Sequence, residues 1–186
     1  MKNLKMLLFL FLLLPTFLDA ETPVVTKKFL LSKQKAGYVE IGMSIDALYT
    51  KYGRESTKLV DLYLEGMFSP AIEIFLNTEK DKPSLVAEIG LSPSGSSKAF
   101  IVSRITVYDD SFRTEKGMGV GSTLGDLRKH HQINWIELGE GGLIARSDEL
   151  MMSFVLFLVD IPEEWYMTRD MELIPDSTKI VSIFIN

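Results

Sequence analysis

The chain has 186 residues, with 20 Lys and Arg against 25 Asp and Glu, a net charge of −5, and no cysteine. Charges of both signs are scattered and form no basic block, which leaves a nucleic-acid role without electrostatic support. The absence of thiols excludes a disulfide framework, a thiolate metal site and a lipid-modified cysteine.

The first element is a leader. "MKNLK" is followed by the apolar run Met6–Leu18 and then by "LDA" before "ET". A positive start, an apolar stretch and a small residue at a cleavage point after Ala20 are the grammar of a signal peptide over residues 1–20. The run falls short of the ~20 residues a spanning helix needs, and it contains Pro15. The expectation is a secreted or periplasmic protein with no stable membrane anchor once the leader is removed.

Residues 21–108 read as a first unit. "GMSIDALYTKYG" has Ser44 as a helix N-cap, Asp46 in the first turn, and Ile45, Leu48 and Tyr52 on one helical face, with Gly53 as the stop. A two- to three-turn helix is marginal alone and needs a sheet to lie on. "STKLVDLYL", "AIEIFLN", "PSLVAEIGL" and "AFIVSRITVY" alternate as strands between the turn clusters "EGMFSP", "EKDKP" and "SPSGSSK".

Residues 109–186 read as a second unit of the same plan. "GSTLGDLRKHHQ" places Thr123 at the cap with Asp126 three residues on, a capping-box arrangement. "INWIEL", "GGLIARS", "LMMSFVLFLV" and "KIVSIFIN" follow as strands. "MMSFVLFLV" is apolar throughout and is expected to be central and covered on both faces. Shifting the chain by 79 residues lays Gly42, Ser44, Ile45, Leu48 and Tyr52 on Gly121, Thr123, Leu124, Leu127 and His131. A shift of 78 lays Val102, Ile105 and Val107 on Ile180, Ile183 and Ile185. Two stretches agreeing this closely point to an internal repeat. The expected fold is α+β: two tandem helix-plus-antiparallel-meander units sharing one curved sheet.

"GMSIDAL" and "GSTLGDL", each opening a short amphipathic helix ahead of a strand meander, make the chain resemble the β-lactamase inhibitory protein fold. The single unit is similar to the small lipoprotein of the bacterial outer-membrane barrel-assembly machine, whose helix start "G-M-[ST]-x-x-x-[LV]" is matched well by "GMSIDAL" and partly by "GSTLGDL". "FRTEKGMGVGSTLGDLRK" looks like a phrase of uncharacterised secreted bacterial proteins. The resemblance implies protein binding on an open sheet surface. The chain departs from both in having no cysteine, so neither the lipid anchor nor any disulfide or inhibitory residue carries over.

No catalytic constellation emerges. His130 and His131 are adjacent, pointing roughly 100° apart on a helix, and form no metal-ligand spacing; a packed His131 and a solvated His130 are expected. "GMGVG" reads as a turn into a helix, not a dinucleotide loop. Asp109, Asp110, Glu163 and Glu164 read as solvated loop charge. No metal, cofactor or catalytic residue is assigned. Large amphipathic side chains in loops are what protein interfaces use as anchors. Trp165, Tyr166 and Met167 in "IPEEWYM", and Tyr63, Met67 and Phe68 in the first-unit hairpin, are therefore the candidate binding residues, with folding back onto the core as their alternative. The expected function is a non-catalytic module binding another envelope or extracellular protein. The alternative is a binder of a small molecule or lipid in a pocket between helix and sheet.

Overall fold

The computed structural model describes residues 25–64, 66–77, 81–92, 99–139, 141–158 and 161–186. The expected leader lies outside these residues. A 3-10 turn (Lys27–Phe29) leads into three two-residue strands, β1 (Leu31–Ser32), β2 (Lys35–Ala36) and β3 (Val39–Glu40). Helix α1 (Ile45–Tyr52) follows, then β4 (Thr57–Leu64), β5 (Met67–Ile74), β6 (Leu85–Leu91) and β7 (Phe100–Val107). After a connector come α2 (Leu124–His130), β8 (Trp135–Gly139), β9 (Gly142–Ser147), β10 (Met152–Leu156), α3 (Glu163–Thr168) and β11 (Ile180–Ile185).

The protein is mixed α and β with strands dominating, in two sheets. β1, β2 and β3 form the smaller one in that order, and the other eight strands run β4-β5-β6-β7-β11-β10-β9-β8. Every neighbouring pair is antiparallel. The middle seam is β7 against β11, with Ile105 opposite Ile185 and Val107 opposite Ile183.

Both helices enter from a glycine that must sit at positive φ, 84° at Gly42 and 85° at Gly121, where a Cβ is penalised. Gly42 N–H donates to the Val102 carbonyl at 2.8 Å, and Val102 N–H donates back to Met43 at 2.9 Å. Gly121 N–H donates to Ile180 at 2.8 Å, and Ile180 N–H donates back to Ser122 at 2.9 Å. The Ser44 hydroxyl oxygen accepts from Ala47 N–H at 3.2 Å and that of Thr123 from Asp126 N–H at 3.1 Å, filling orphan donors of each first turn.

The core lies on the helix side of the large sheet. Leu48 of α1 and Leu124 and Leu127 of α2 are fully buried with Ile72, Ile74, Leu85, Val102, Ile105, Phe154, Ile183 and Ile185. All five residues of β10 are buried, as the apolar run required, although Phe157 and Leu158 beyond its end are exposed.

Three local readings are corrected. The small sheet was not expected; Gln34 and Gly37, both at positive φ, turn chain stretches too short for alternation to register. "EGMFSP" is largely strand, since β5 begins at Met67. Pro70 is tolerated because the ladder to β6 starts only at Ala71 opposite Glu88, so β5 is paired on a single side there. Residues 163–168 are helical, not a loop, and Trp165 is completely buried in the core.

Candidate functional site

Register partners in an antiparallel sheet share a face, and successive residues alternate. Leu59 is opposite the buried Ile72, and Tyr63 is opposite Phe68, so Leu59, Tyr63 and Phe68 point to the helix side. The Tyr63 and Phe68 rings lie 5.1 Å apart at 59°. Met67 is opposite Leu64 and points to the other face. Leu91 and Phe100 are opposite one another at the same end of the meander and share the face of Val102. The structure thus brings Tyr63 and Phe68 together, separates Met67 from them, and adds Leu59, Leu91 and Phe100. Exposure is 63% at Leu59, 66% at Tyr63, 73% at Phe68, 54% at Leu91 and 60% at Phe100. Burial of such side chains stabilises by about 1.5–3 kcal/mol each, so leaving five of them wet is a cost that the core does not explain.

Between these strands and α1 runs an apolar groove of about 570 Å³. Tyr49, Leu59, Pro70, Ile89 and Phe100 line it, and Ser44 and Asp46 form its polar end. The alternative of a pocket between helix and sheet named none of these residues, which come together only through strand register and the placement of α1.

The second candidate set divides differently. Trp165 is not an exposed anchor: its ring is in the core, 5.3 Å from the Tyr166 ring, with the Arg169 guanidinium 4.6 Å from its centre. A bulky apolar ring amid "PEEW" is pulled inward because α3 presents no other buried residue. Met167 is 78% exposed and Tyr166 about half exposed. These two do not adjoin the first-meander cluster in chain or sheet order.

The opposite face of the large sheet curls. Seven strand spacings would separate β4 from β8 by about 34 Å if flat. Yet Leu62 of β4 and Trp135 of β8 line one hollow of about 420 Å³ with Arg104, Thr106, Tyr108 and Phe184. Burial, followed by the negative charge of Glu88 and Glu73, pushes the Tyr108 phenol up from its ordinary value. Glu88 accepts from Arg104 at 3.5 Å inside this hollow.

His131 is buried, and its Nδ1 lies 2.5 Å from Glu149 Oε1. The hydrogen bond from His131 holds the Glu149 carboxyl below its usual range. His131 Nε2 is buried without a hydrogen-bond partner among the described residues. Tyr52, at the matching place on α1, also has a buried oxygen without a partner, and burial pushes its phenol up to about 12. His130 is exposed. Asp109 is not solvated: it is buried, accepts from Ser84 Oγ at 2.8 Å and from Ser111 N–H at 2.9 Å, and organises the turn into the connector. Asp110, Glu163 and Glu164 are exposed. Among the described residues no group of three or more His, Asp or Glu could hold a metal ion, and no helix is long and apolar enough to cross a membrane.

No family model and no curated protein matches the chain. Among solved structures it is similar to the uncharacterized protein yfeY from Escherichia coli, with a TM-score of 0.56 at 16% identity, over 86% of this chain and 99% of that one. At that identity the likeness shows the fold alone.

Proposed function

We propose that the chain is a non-catalytic protein-binding module, exported to a secreted or periplasmic location, that engages another envelope or extracellular protein through the helix-side surface of its first meander. The observation that carries this reading is the cluster of Leu59, Tyr63, Phe68, Leu91 and Phe100, exposed together on one sheet face. Contiguous apolar surface of this kind marks interaction sites on folded proteins, and aromatic side chains are the usual anchors. The architecture behind it is read as two tandem units sharing the eight-stranded sheet. The matched entries of α1 and α2, with the same glycine conformation, the same pair of backbone bonds and the same hydroxyl cap, support that duplication. Export rests on the character of residues 1–20.

Photo-cross-linking tests the binding reading. A benzophenone amino acid placed at Phe68 should yield a discrete protein adduct in intact cells, and the same group at the exposed Lys129 should not. An adduct absent at Phe68, or equal at the two positions, would dismiss the reading. A second reading, a small apolar ligand, is favoured by the size and lining of the groove beside α1; retention of a lipid through purification in native mass spectrometry would support it.

A further inference from the structure

We propose that the hollow on the curled face of the large sheet is a binding site for a neutral oligosaccharide. It lies on the face opposite the first-meander cluster, so it goes beyond the protein-binding reading and does not depend on it.

Strand register assembles the site. Trp135, Arg146, Ser153, Phe184, Thr106 and Val86 are successive partners across β8, β9, β10, β11, β7 and β6, so they share one face. Their chain neighbours Ile136, Ala145, Phe154, Ile185 and Ile105 are buried in the core on the other. The curl folds this row into the hollow of about 420 Å³, within the range of about 300–1,000 Å³ typical of ligand clefts. Trp135 and Tyr108, both exposed, line it with aromatic surface. Thr106 is only 4% exposed yet lines the hollow, and its hydroxyl has no hydrogen-bond partner among the described residues. The Ser153 hydroxyl accepts from Arg146 at 3.3 Å and keeps its own O–H to donate. Arg104 has further N–H donors beyond its long bond to Glu88 at 3.5 Å.

These groups restrict the guest. The charged side chains of the hollow, Glu88 and Arg104, pair with each other. The neighbouring basic groups on this face are paired as well, Lys58 with Glu73 at 3.7 Å and Arg146 with Asp148 at 3.1 Å. An ionic guest would have to break one of these pairs. A purely aliphatic guest would displace water from Thr106, Ser153 and Arg104 without replacing its hydrogen bonds, which is costly. A pyranose ring meets both demands. Its faces carry C–H groups that pack on the negative faces of aromatic rings such as those of Trp135 and Tyr108. Its rim carries hydroxyls, which both donate and accept, to meet Thr106, Ser153 and Arg104.

The test is acrylamide quenching of tryptophan fluorescence in the purified protein. Trp135 is the reporter, because Trp165, the other tryptophan, is completely buried. The probes are maltotriose, cellotriose and tri-N-acetylchitotriose, with glycerol at equal hydroxyl concentration as the comparison. At least one trisaccharide should shield Trp135 with a dissociation constant of about 0.1–1 mM, and glycerol should not. Thr106→Val keeps the side-chain shape and a strand-forming residue but removes the hydroxyl, and should weaken binding at least fivefold. Arg104→Met should weaken it likewise, and Met167→Ala should leave it unchanged. Unshifted emission from Trp165 shows that each variant is folded, and where Arg104→Met does not fold Thr106→Val alone decides. No shielding by any of the three sugars at ten times the expected concentration overturns the inference. So does shielding that glycerol matches, and so does binding that ignores Thr106→Val.

Discussion

Arg128 donates to the carbonyl of Ile174, 46 residues further along the chain, at 3.2 Å. With its bonds to Asp176 and Met171, this side chain joins the backbone N–H groups of Leu124 and Gly125, which donate to the Thr178 and Asp176 carbonyls, in holding residues 171–178 against α2. Charged donors to protein acceptors are worth about 1.5–3 kcal/mol. Arg128→Ala should lower stability by about 2 kcal/mol, read by urea unfolding. Hydrogen exchange at residues 171–178 should accelerate more than exchange in β5 or β6. Uniform acceleration would mean that Arg128 acts globally.

Gly125 separates two effects of opposite sign. Alanine is favoured over glycine in a helix by about 1 kcal/mol. At this position, however, a Cβ would stand 2.7 Å from Asp176 Cβ and 3.1 Å from its carbonyl oxygen, an overpacking that costs about 1–3 kcal/mol. Gly125→Ala should therefore destabilise. Gly42→Ala meets nothing within 4 Å but holds φ at 84°, so its loss of about 1–2 kcal/mol is purely backbone. Thermal melts of the two variants check both values.

Trp165→Ala should cost about 3–5 kcal/mol, the range for removing a fully buried large aromatic. Met167→Ala, two residues along, should change stability by less than about 0.5 kcal/mol. Trp165→Phe should be milder than alanine, because the indole N–H has no partner to lose. Equal melting points for Trp165→Ala and Met167→Ala would show that α3 does not dock as described.

The pair His131–Glu149 sets a pH dependence. The Glu149 carboxyl is held below its ordinary value by the hydrogen bond from His131. A depressed carboxyl contributes stability above its unfolded value, ~4.3, and that contribution vanishes as pH falls through the lower folded value. Glu149→Gln should therefore melt below the parent protein at pH 6, with the gap closing as pH falls below about 4.3. Asp126 is lowered in the same direction, first by the Thr123 hydroxyl, so Thr123→Val makes a parallel series. A gap constant with pH would exclude a contribution from the ionised Glu149 carboxylate.

What the sequence disclosed was local. Glycine, hydroxyl cap and apolar spacing are written within a dozen residues, so both helix starts at Ser44 and Thr123 could be read with their cap bonds. Strand alternation in "AIEIFLN" is likewise a short-range signal. β1 to β3 escaped because two residues cannot alternate, and α3 escaped because a single buried side chain has no period. The side-by-side placement of β7 and β11 depends on residues that are neighbours only in space. A pocket between helix and sheet was legible as an alternative, but its lining was not: Tyr49, Leu59, Pro70, Ile89 and Phe100 meet only through strand register and the placement of α1. Trp165 shows the limit of reading anchors from composition: the same ring suits an interface or a core, and here it is buried in the core.

β11 follows every other described strand in the chain and yet lies fifth across the large sheet, between β7 and β10. Until it arrives, those two strands are raw borders, and the earlier part of the protein can only wait as two separate ribbons. Closure is therefore a late, single insertion, bonded to β7 through three residue pairs. During synthesis, the interval before that insertion is when the chain is most open to chaperones, to proteases and to strands of its neighbours.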